Sequence, residues 1–336
     1  MTVTAQWESL AAVSQKWPDL FSASVTQSIF LSLPWQTAWA LNCCGSAEHH
    51  PVLTVRGDAD GKLRGIAPLY HESAAVTFGL DHNVTDYQDI LSLPGQEQAV
   101  WDAVLAFGAA EGWDSIELTG MRDDSPSTQI LESQAERHGW QAQRSVWDVS
   151  PYVMLPNTWE AHVQSLSKKD RHELRRKLRR LEASEDAQYR LYDAQADELT
   201  SALDDFVSLM GKSSEAKTDF LTPERRAFLE TLTRTMAEAD SLQLAFMDVG
   251  GKPVSATMSF AEKDRLLLYN SGYDPEYGHL SVGLLLKAYG VRGAIEQGLR
   301  EYDFLRGNEP YKYDLGGHDR ILYQWRLSRE GGEPTE

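Results

Sequence analysis

The sequence predicts an α/β (α+β) protein built from two mixed-sheet domains in tandem. A chain of 336 residues is long enough for two domains. Its halves contain the same order of elements: two strands joined by a glycine turn, a further strand, a helix, a glycine and a last strand. The spacing also repeats, since Gly61 and Gly112 lie 51 positions apart, and Gly251 and Gly298 lie 47 apart. We therefore interpret the halves as two copies of one fold.

The first half carries the earlier copy of this pattern. Strands are predicted at residues 51–56 and 63–69, where apolar residues flank an Asp-Ala-Asp-Gly turn. A helical run follows at 97–111, and Gly112 ends it before a last apolar strand that reaches residue 120. These elements form one mixed α/β unit.

The second half repeats the pattern more clearly. Residues 242–249, 253–260 and 265–269 are predicted strands of an antiparallel meander with tight turns between them. Residues 270–278 contain two glycines and a proline and are predicted to form a loop.

A helix is predicted from residue 282 to residue 297, because apolar residues recur at helical spacing there. Ser281 suits its N-cap and Gly298 its C′ position. A buried strand follows at 302–305. A strand, a helix and a second strand make a crossover, so the strands at 265–269 and 302–305 are expected to be parallel.

The domain boundaries follow from these patterns. We predict a peripheral helical lead-in at 1–30, a first domain at 31–155, a second at 156–329 and a flexible tail at 330–336. Prolines at 151 and 156 interrupt the pattern at the boundary between the two domains.

Composition excludes several classes of protein. The formal net charge of -18 argues against a nucleic-acid partner, since such binding depends on neutralising phosphates. No apolar run is long enough to span a bilayer, and residues 1–8 lack the features of a secretory signal. Cys43 and Cys44 are adjacent, which indicates a reducing, cytoplasmic compartment rather than a disulfide framework. No cysteine or histidine stands at ligand spacing from them, so no metal is expected.

Residues 167–181 depart from the acidic character of the chain. They hold eight Lys and Arg against two acids, and Leu174, Leu178 and Leu181 define one face of a helix that Ser167 caps. The cationic face has two interpretations: a solvated surface that offsets the acidic body, or an anion site for a phosphorylated ligand or an RNA end.

Residues 302–313 carry the strongest functional signal. Two acids, two bases and three tyrosines fall within twelve residues, where a buried strand passes into a loop. Binding and catalytic groups tend to lie on such loops, which a rigid sheet holds in place. The alternative is that Arg306, Glu309 and Lys312 form an ion-pair network that only positions the loop.

Several segments together resemble the GNAT acyltransferase superfamily. Within it they are most similar to the tandem-domain BioF2-like or CelD-like acetyltransferases, which are related to the FemAB peptidyltransferases. The segments are 166–169 with the basic helix, 269–277, 280–283, and above all 303–312. The resemblance covers about residues 30–328 and implies two GNAT-like domains, each with a splayed central pair of parallel strands.

The resemblance also implies a donor. Acetyl-CoA or another acyl-CoA is expected as co-substrate, without a metal, and its pyrophosphate is expected at the start of the helix near 282. The positions that correspond to this site are His279, Leu280, Ser281, Val282 and Gly283. The usual loop of the superfamily has an Arg or Gln followed by spaced glycines, whereas this chain has only Gly278 and Gly283 there.

The expected activity is direct transfer of an acyl group to an amine within a ternary complex. Such transfer needs a group that accepts or orients the amine proton, donors for the oxyanion, and an acid for the leaving thiolate. We expect Asp303 or Glu309 to serve the amine and Tyr311 or Tyr313 to serve the leaving group. The remaining expected substrate-binding residues are Arg306 and Lys312, which suit a carboxylate or phosphate, together with Tyr273, Tyr87 and Asp89.

The first domain is expected to be degenerate and to shape an acceptor pocket where the domains meet. The acceptor is expected to be an amine on a small molecule or a cell-envelope precursor. Two other functions stay open: aminoacyl transfer from aminoacyl-tRNA, as in FemAB relatives, and ligand binding by a non-catalytic GNAT fold.

Overall fold

The structure, a computed structural model, describes residues 2–43, 45–72, 75–79, 81–184, 186–192 and 198–329. The predicted tail at 330–336 and Cys44 lie outside these ranges. The chain divides into two compact units, one formed by residues up to 149 with those from 320 onward, the other by residues 150–319.

The first unit contains helices of 4 to 15 residues and mostly short strands. Its helices are α1 (Leu10–Val13), α2 (Trp17–Ala23), α3 (Leu33–Cys43), α4 (Glu97–Glu111) and α5 (Pro126–Arg137). Its strands are β1 (Val3–Ser9), β2 (Pro51–Gly57), β3 (Leu63–Ala67), β4 (Leu69–Glu72), β5 (Ala75–Phe78), β6 (Leu91–Ser92) and β7 (Ser115–Arg122). Strand β8 (Trp140–Met154) begins in this unit, and most of β14 (His318–Arg329) belongs to it.

Two sheets organise the first unit. In one, the strand order is β1-β2-β3-β6, and the described pairs are antiparallel. In the other, β4 pairs antiparallel with β5, β5 pairs parallel with β7, and β7 pairs antiparallel with β14. The predicted strand at 63–69 is interrupted at Pro68, which cannot donate to a ladder, so β3 and β4 belong to different sheets.

The second unit packs helices against one meandering sheet. Its helices are α6 (Trp159–Ser165), α7 (Lys168–Glu182), α8 (Leu199–Ser213), α9 (Glu215–Phe220), α10 (Pro223–Glu238), α11 (Val282–Glu296) and α12 (Pro310–Asp314). Its strands are β9 (Ala187–Leu191), β10 (Leu242–Val249), β11 (Lys252–Glu262), β12 (Arg265–Tyr273) and β13 (Glu301–Asp303). None of the helices in the described ranges is long and apolar enough to cross a membrane.

The strand order of this sheet confirms the predicted meander and crossover. Strands β9 to β12 are successively antiparallel, and β13 pairs parallel with β12 and antiparallel with the end of β8. The connecting helix α11 ends at Glu296 with Gln297 as its C-cap, and Gly298 follows with a φ of +75°. A left-handed residue at that position ends a helix, as the sequence predicted.

Both parallel strand pairs are short. In each pair, one strand continues beyond the end of the other. Arg265–Leu267 pair with Glu301–Asp303, but β12 continues to Tyr273. In the first unit three residues of β5 pair with three of β7, which then continues to Arg122. The two copies therefore share an opening beside a parallel strand, and the predicted fold class is confirmed.

The organisation of the termini differs from the prediction in two respects. The lead-in at 1–30 was expected to be helical and peripheral, but it begins with β1, where alternating Val3, Ala5 and Trp7 face the core, and Trp17 is fully buried. Most of β14, which we had placed in the second domain, pairs with β7 and buries Trp325 in the first unit.

Strand β12 is also longer than predicted. Asn270 to Tyr273, expected in a loop, pair with Ser255 to Met258 of β11 beyond a bulge. Gly272 allows this, because a Cβ at that position would lie 2.2 Å from the backbone nitrogen of Met210 in α8. The missing side chain therefore sets the distance between α8 and the sheet.

We expect Gly272→Ala to destabilise the protein by about 3 kcal/mol, because the added methyl group overpacks a backbone contact that cannot yield. Gly278→Ala is the matched control, since a Cβ there meets nothing within 4 Å. Urea unfolding measures both free energies. Equal stabilities for the two variants would contradict the close packing of α8 on β12.

Candidate functional site

The start of α11 has an unusual backbone. Ser281 occupies the N-cap position with a φ of +59°, a conformation that is uncommon outside glycine. Its side chain does not cap the helix, contrary to the prediction; instead its Oγ accepts a hydrogen bond of 2.8 Å from Nη2 of Arg180. A guanidinium therefore lies next to a helix N-terminus, where free N–H groups and the helix dipole already favour an anion.

The other predicted donor-site residues fall around this helix start. His279 is exposed and its Nδ1 lies 3.2 Å from the carbonyl oxygen of Glu276, whereas Leu280 and Val282 are buried. A Cβ on Gly283 would lie 3.2 Å from the ring of Tyr273. The structure thus brings Tyr273 and Gly283 together, and Gly283 makes room for that ring.

Arg180 belongs to the predicted basic helix. Ser167 caps α7 through a hydrogen bond from the backbone N–H of Asp170, and Leu174 and Leu181 are buried, as the sequence predicted. Helix α7 packs against α11, so its last turn reaches the start of that helix. Most of its other cations are exposed.

Asp303 lies at the end of β13 and is fully buried. Its Oδ1 accepts hydrogen bonds from the backbone N–H of Leu305 at 2.8 Å and from the hydroxyl of Ser150 at 3.3 Å. Leu305 has a φ of +57°, which costs backbone energy in a side-chain-bearing residue. Asp303 therefore stabilises the turn that follows the strand.

Lys312 holds the same turn from its other side. Only 1% of the residue is exposed, and its Nζ donates to the carbonyl oxygens of Leu305 (2.8 Å), Arg306 (2.7 Å) and Gly307 (3.0 Å). Its Nζ also lies 2.9 Å from Oε2 of Glu309. Four acceptors surround three N–H donors, an arrangement that favours the ion-pair interpretation of this loop.

Glu309 differs from Lys312 in its exposure, since 56% of its side chain is accessible. Burial raises its pKa, but the Lys312 ammonium and its hydrogen bond outweigh that effect and lower the pKa below its usual value. Glu309 is therefore an ionised carboxylate that one side of the loop presents to solvent.

The two predicted tyrosines have different surroundings. The ring of Tyr311 packs against Phe304, and Nζ of Lys287 lies 4.7 Å from its centroid. Burial, and then the charge of Glu309, raise the pKa of Tyr311, so its phenol stays protonated. The hydroxyl of Tyr313 instead donates to Asp319 at 2.7 Å. Tyr311, not Tyr313, lies beside the buried lysine.

Two lysines of this site were missed by the sequence reasoning. Lys287 in α11 is 6% exposed and donates to the carbonyl oxygen of Gly283 at 3.0 Å. Lys217 in α9 is half-buried and donates to the carbonyl oxygen of Ser271. The sequence could have indicated Lys287, because it is a charged residue within an apolar stretch of α11. No sequence feature near Lys217 distinguishes it.

Their environment weakens the charged form of both amines. Burial, followed by the charge of Lys217, lowers the pKa of Lys287 to about 7. Burial also lowers the pKa of Lys217 to about 8, although Glu309 opposes the shift. Both amines therefore titrate near neutral pH, which is typical of functional sites.

Tyr87 and Asp89 lie in the first unit. Tyr87 is buried beneath the guanidinium of Arg122, which lies 5.4 Å from its ring centroid. Asp89 accepts hydrogen bonds from the hydroxyls of Ser125 and Ser127, and burial raises its pKa to about 6 against their influence. Both residues line a small cavity of about 80 Å³.

The described residues contain no group of three His, Cys, Asp or Glu side chains that could hold a metal ion.

Comparisons with known proteins identify the second unit. Residues 168–313 match the family model of the acetyltransferase (GNAT) domain. No curated protein sequence matches the chain.

The solved structures that resemble this chain include three that are matched over more than nine-tenths of it. FemX has a TM-score of 0.64 at 9% identity, covering 92% of this chain and 95% of its own. The C-terminal domain of a putative lysylphosphatidylglycerol synthetase from Agrobacterium fabrum has a TM-score of 0.60 at 9% identity, covering 96% and 93%. A tandem GNAT protein from the clavulanic acid biosynthesis pathway has a TM-score of 0.52 at 12% identity, covering 99% and 100%. At these identities the likeness concerns the fold.

We expect Lys287→Met to stabilise the protein, with an effect that depends on pH. The pKa of Lys287 is about 7 in the folded protein against 10.5 for a free lysine, so between these values the unfolded chain binds more protons. The free energy of unfolding of the wild type therefore rises with pH between these two values. Below pH 7 the full cost of burying the charged ammonium lowers the stability.

The advantage of the methionine variant should thus be largest near pH 6.5 and shrink toward pH 9.5. Urea unfolding at several pH values measures it, with the exposed Lys252→Met as control. A stability difference that stays constant with pH would show that Lys287 titrates normally.

Proposed function

We propose that the chain is a GNAT acyltransferase, because residues 168–313 match the acetyltransferase (GNAT) domain, and that it moves an acyl group from acyl-CoA to an amine by direct attack in a ternary complex. One observation carries the proposal: β12 pairs with β13 over only three residues and then continues to Tyr273, whose ring packs on Gly283 in the first turn of α11. The unpaired edge of β12 can hydrogen-bond the acyl end of the donor, and the N-terminus of α11 can bind its phosphates.

The donor's pyrophosphate is assigned to the start of α11. The first N–H groups of a helix have no partner within it, and they can bind phosphate oxygens. Arg180 adds a guanidinium 2.8 Å from Ser281 Oγ. Within the predicted set from His279 to Gly283, backbone groups rather than side chains do the binding, which agrees with the burial of Leu280 and Val282.

Two groups at the loop after β13 fit the chemistry. Glu309 is ionised and half-exposed, so it can accept a hydrogen bond from the acceptor ammonium and orient the amine. Tyr311 keeps its proton and can donate a hydrogen bond to the leaving thiolate. Asp303 and Lys312, whose polar atoms already bind the turn, are assigned to holding this loop in place, and Arg306 lies within it.

The acceptor is proposed to be an amine on a small molecule or a cell-envelope precursor. Tyr87 and Asp89 of the first unit stay predicted substrate ligands. Asp89 is suited to an amine, because its carboxylate is buried and held by two serine hydroxyls.

A second candidate function is aminoacyl transfer from aminoacyl-tRNA. The exposed cations of α7 favour it, and they lie on the helix that reaches the start of α11. FemX and the lysylphosphatidylglycerol synthetase domain share the fold. The net charge of -18 opposes it, since tRNA must overcome that repulsion.

Thermal unfolding with acetyl-CoA, free CoA and a longer acyl-CoA tests the donor. A ligand at about 100 times its Kd adds about 2.7 kcal/mol, which raises the midpoint by a few degrees. Arg180→Ala should lower this shift, whereas Arg179→Ala, whose guanidinium bonds its own helix at Arg175, should not. No shift with any CoA ester, together with salt-dependent tRNA binding, would favour the second candidate.

Turnover of the variants Glu309→Gln and Tyr311→Phe tests the chemistry. We expect each to lower kcat by about 100-fold or more, the usual contribution of a positioned acid or base. The matched control is Glu296→Gln, which removes only a surface ion pair with Arg292. Tyr313→Phe should leave kcat unchanged if Tyr311 serves the leaving group, and should lower it if Tyr313 does. Full turnover in both main variants would remove Glu309 and Tyr311 from the mechanism.

A further inference from the structure

Lys217, which is half-buried, and Lys287, which is buried, carry amino groups that form no ion pair with a carboxylate in the described residues. Each has one hydrogen bond, to the backbone carbonyl of Ser271 or of Gly283. Within the described ranges, no acidic side chain lies within ion-pair distance of either amino group. Buried charges in proteins are normally paired, so this arrangement requires an explanation.

The position of Lys217 is informative. Successive carbonyls of a strand point to opposite edges, and the carbonyl of Gly272 accepts a hydrogen bond from Ser255 on the β11 side. The carbonyl of Ser271 therefore points to the other edge of β12, where β13 has already ended. The amino group of Lys217 thus lies at the opening beside the parallel pair.

Lys287 approaches the same region from α11. Its amino group binds the first turn of the helix and lies over the ring of Tyr311, which follows β13. The charge of Lys217 acts on it, as do those of Glu309 and Lys312. Lysines from α9, α11 and α12 therefore surround one opening.

The charges around this opening do not balance. Glu309 is the acidic partner that the loop provides, and it is paired with Lys312 at 2.9 Å. Glu309 thus acts on Lys217 and Lys287 only at longer range, and neither amino group has a carboxylate in ion-pair contact. In an apolar helix such as α11, an uncharged side chain would avoid this cost, which indicates that the charge serves a ligand.

We propose that Lys217 and Lys287 together bind a carboxylate of a substrate that enters the opening beside β12. The inference rests on the proposed function, which assigns the donor's phosphates to the start of α11. The anion that we assign to the unpaired edge of β12 is therefore a carboxylate. The carboxylate belongs either to a dicarboxylic acyl group or to an amino-acid acceptor. Each of its two oxygens can accept a hydrogen bond from an ammonium group.

Calorimetry with matched ligand pairs tests the proposal in the wild-type protein. The donor pair is succinyl-CoA and butyryl-CoA, which have the same chain length but differ in the terminal carboxylate. The acceptor pair is β-alanine and β-alaninamide. We expect the carboxylate to bind about tenfold more tightly in one of the two pairs, and the pair that discriminates identifies the source.

Lys217→Met and Lys287→Met should each reduce that preference to about twofold or less, whereas Lys252→Met, an exposed lysine on β11, should leave it unchanged. The wild-type comparison needs no variant, so a poorly folded variant does not remove the test. Binding of both acyl-CoAs without discrimination in either pair would overturn the carboxylate site and leave the proposed function standing. A preference that survives both lysine substitutions would also overturn the site. If no CoA ester binds, the proposal of acyl-CoA as donor is wrong. The comparison of β-alanine with β-alaninamide would then still test the carboxylate site.

Discussion

The candidate site depends on one buried ammonium. Lys312 binds three consecutive carbonyls after β13, and Asp303 binds the backbone N–H of Leu305 from within the sheet. Between them they stabilise the left-handed residue Leu305 and the turn that follows β13. The turn begins where the pairing of β13 with β12 ends, so these contacts lie at the edge of the opening. The loop that carries Glu309 and Tyr311 is thus fixed by two groups that are themselves inaccessible.

A second constraint is electrostatic. Among the described residues, Lys217, Lys287 and Lys312 lie around the sheet opening together with Glu309, which pairs with Lys312, in a chain whose net charge is -18. Burial and mutual repulsion lower the pKa of Lys287 to about 7, so the site is close to losing a proton at neutral pH. An anion bound there would be attracted more strongly by these ammonium groups than by lysines in water. The local dielectric constant is lower, and the lysines have already lost much of their hydration on folding.

The two units share this topology but not its chemistry. In the first unit the opening beside β5 and β7 leads into a cleft of about 780 Å³, lined by Trp39, Phe78 and Trp147 with Asp81 and Glu117. Among the residues of that lining that the structure describes, none is a lysine or arginine. The same strand arrangement thus presents aromatic and acidic groups in one unit and amines in the other. This difference is consistent with separate roles for the two copies.

The sequence by itself determined the duplicated order of elements, the parallel pair, the helix at Val282–Glu296 and the loop that carries Glu309, Tyr311 and Lys312. These follow from local signals, namely periodicity, glycine turns and a dense motif at a strand end. Only the tertiary structure decided that Asp303 and Lys312 serve the turn, that β14 completes the first unit, and that Lys217 and Lys287 meet at one opening. Charge pairing, burial and strand partners arise between residues far apart in the chain, and no local pattern encodes those distances.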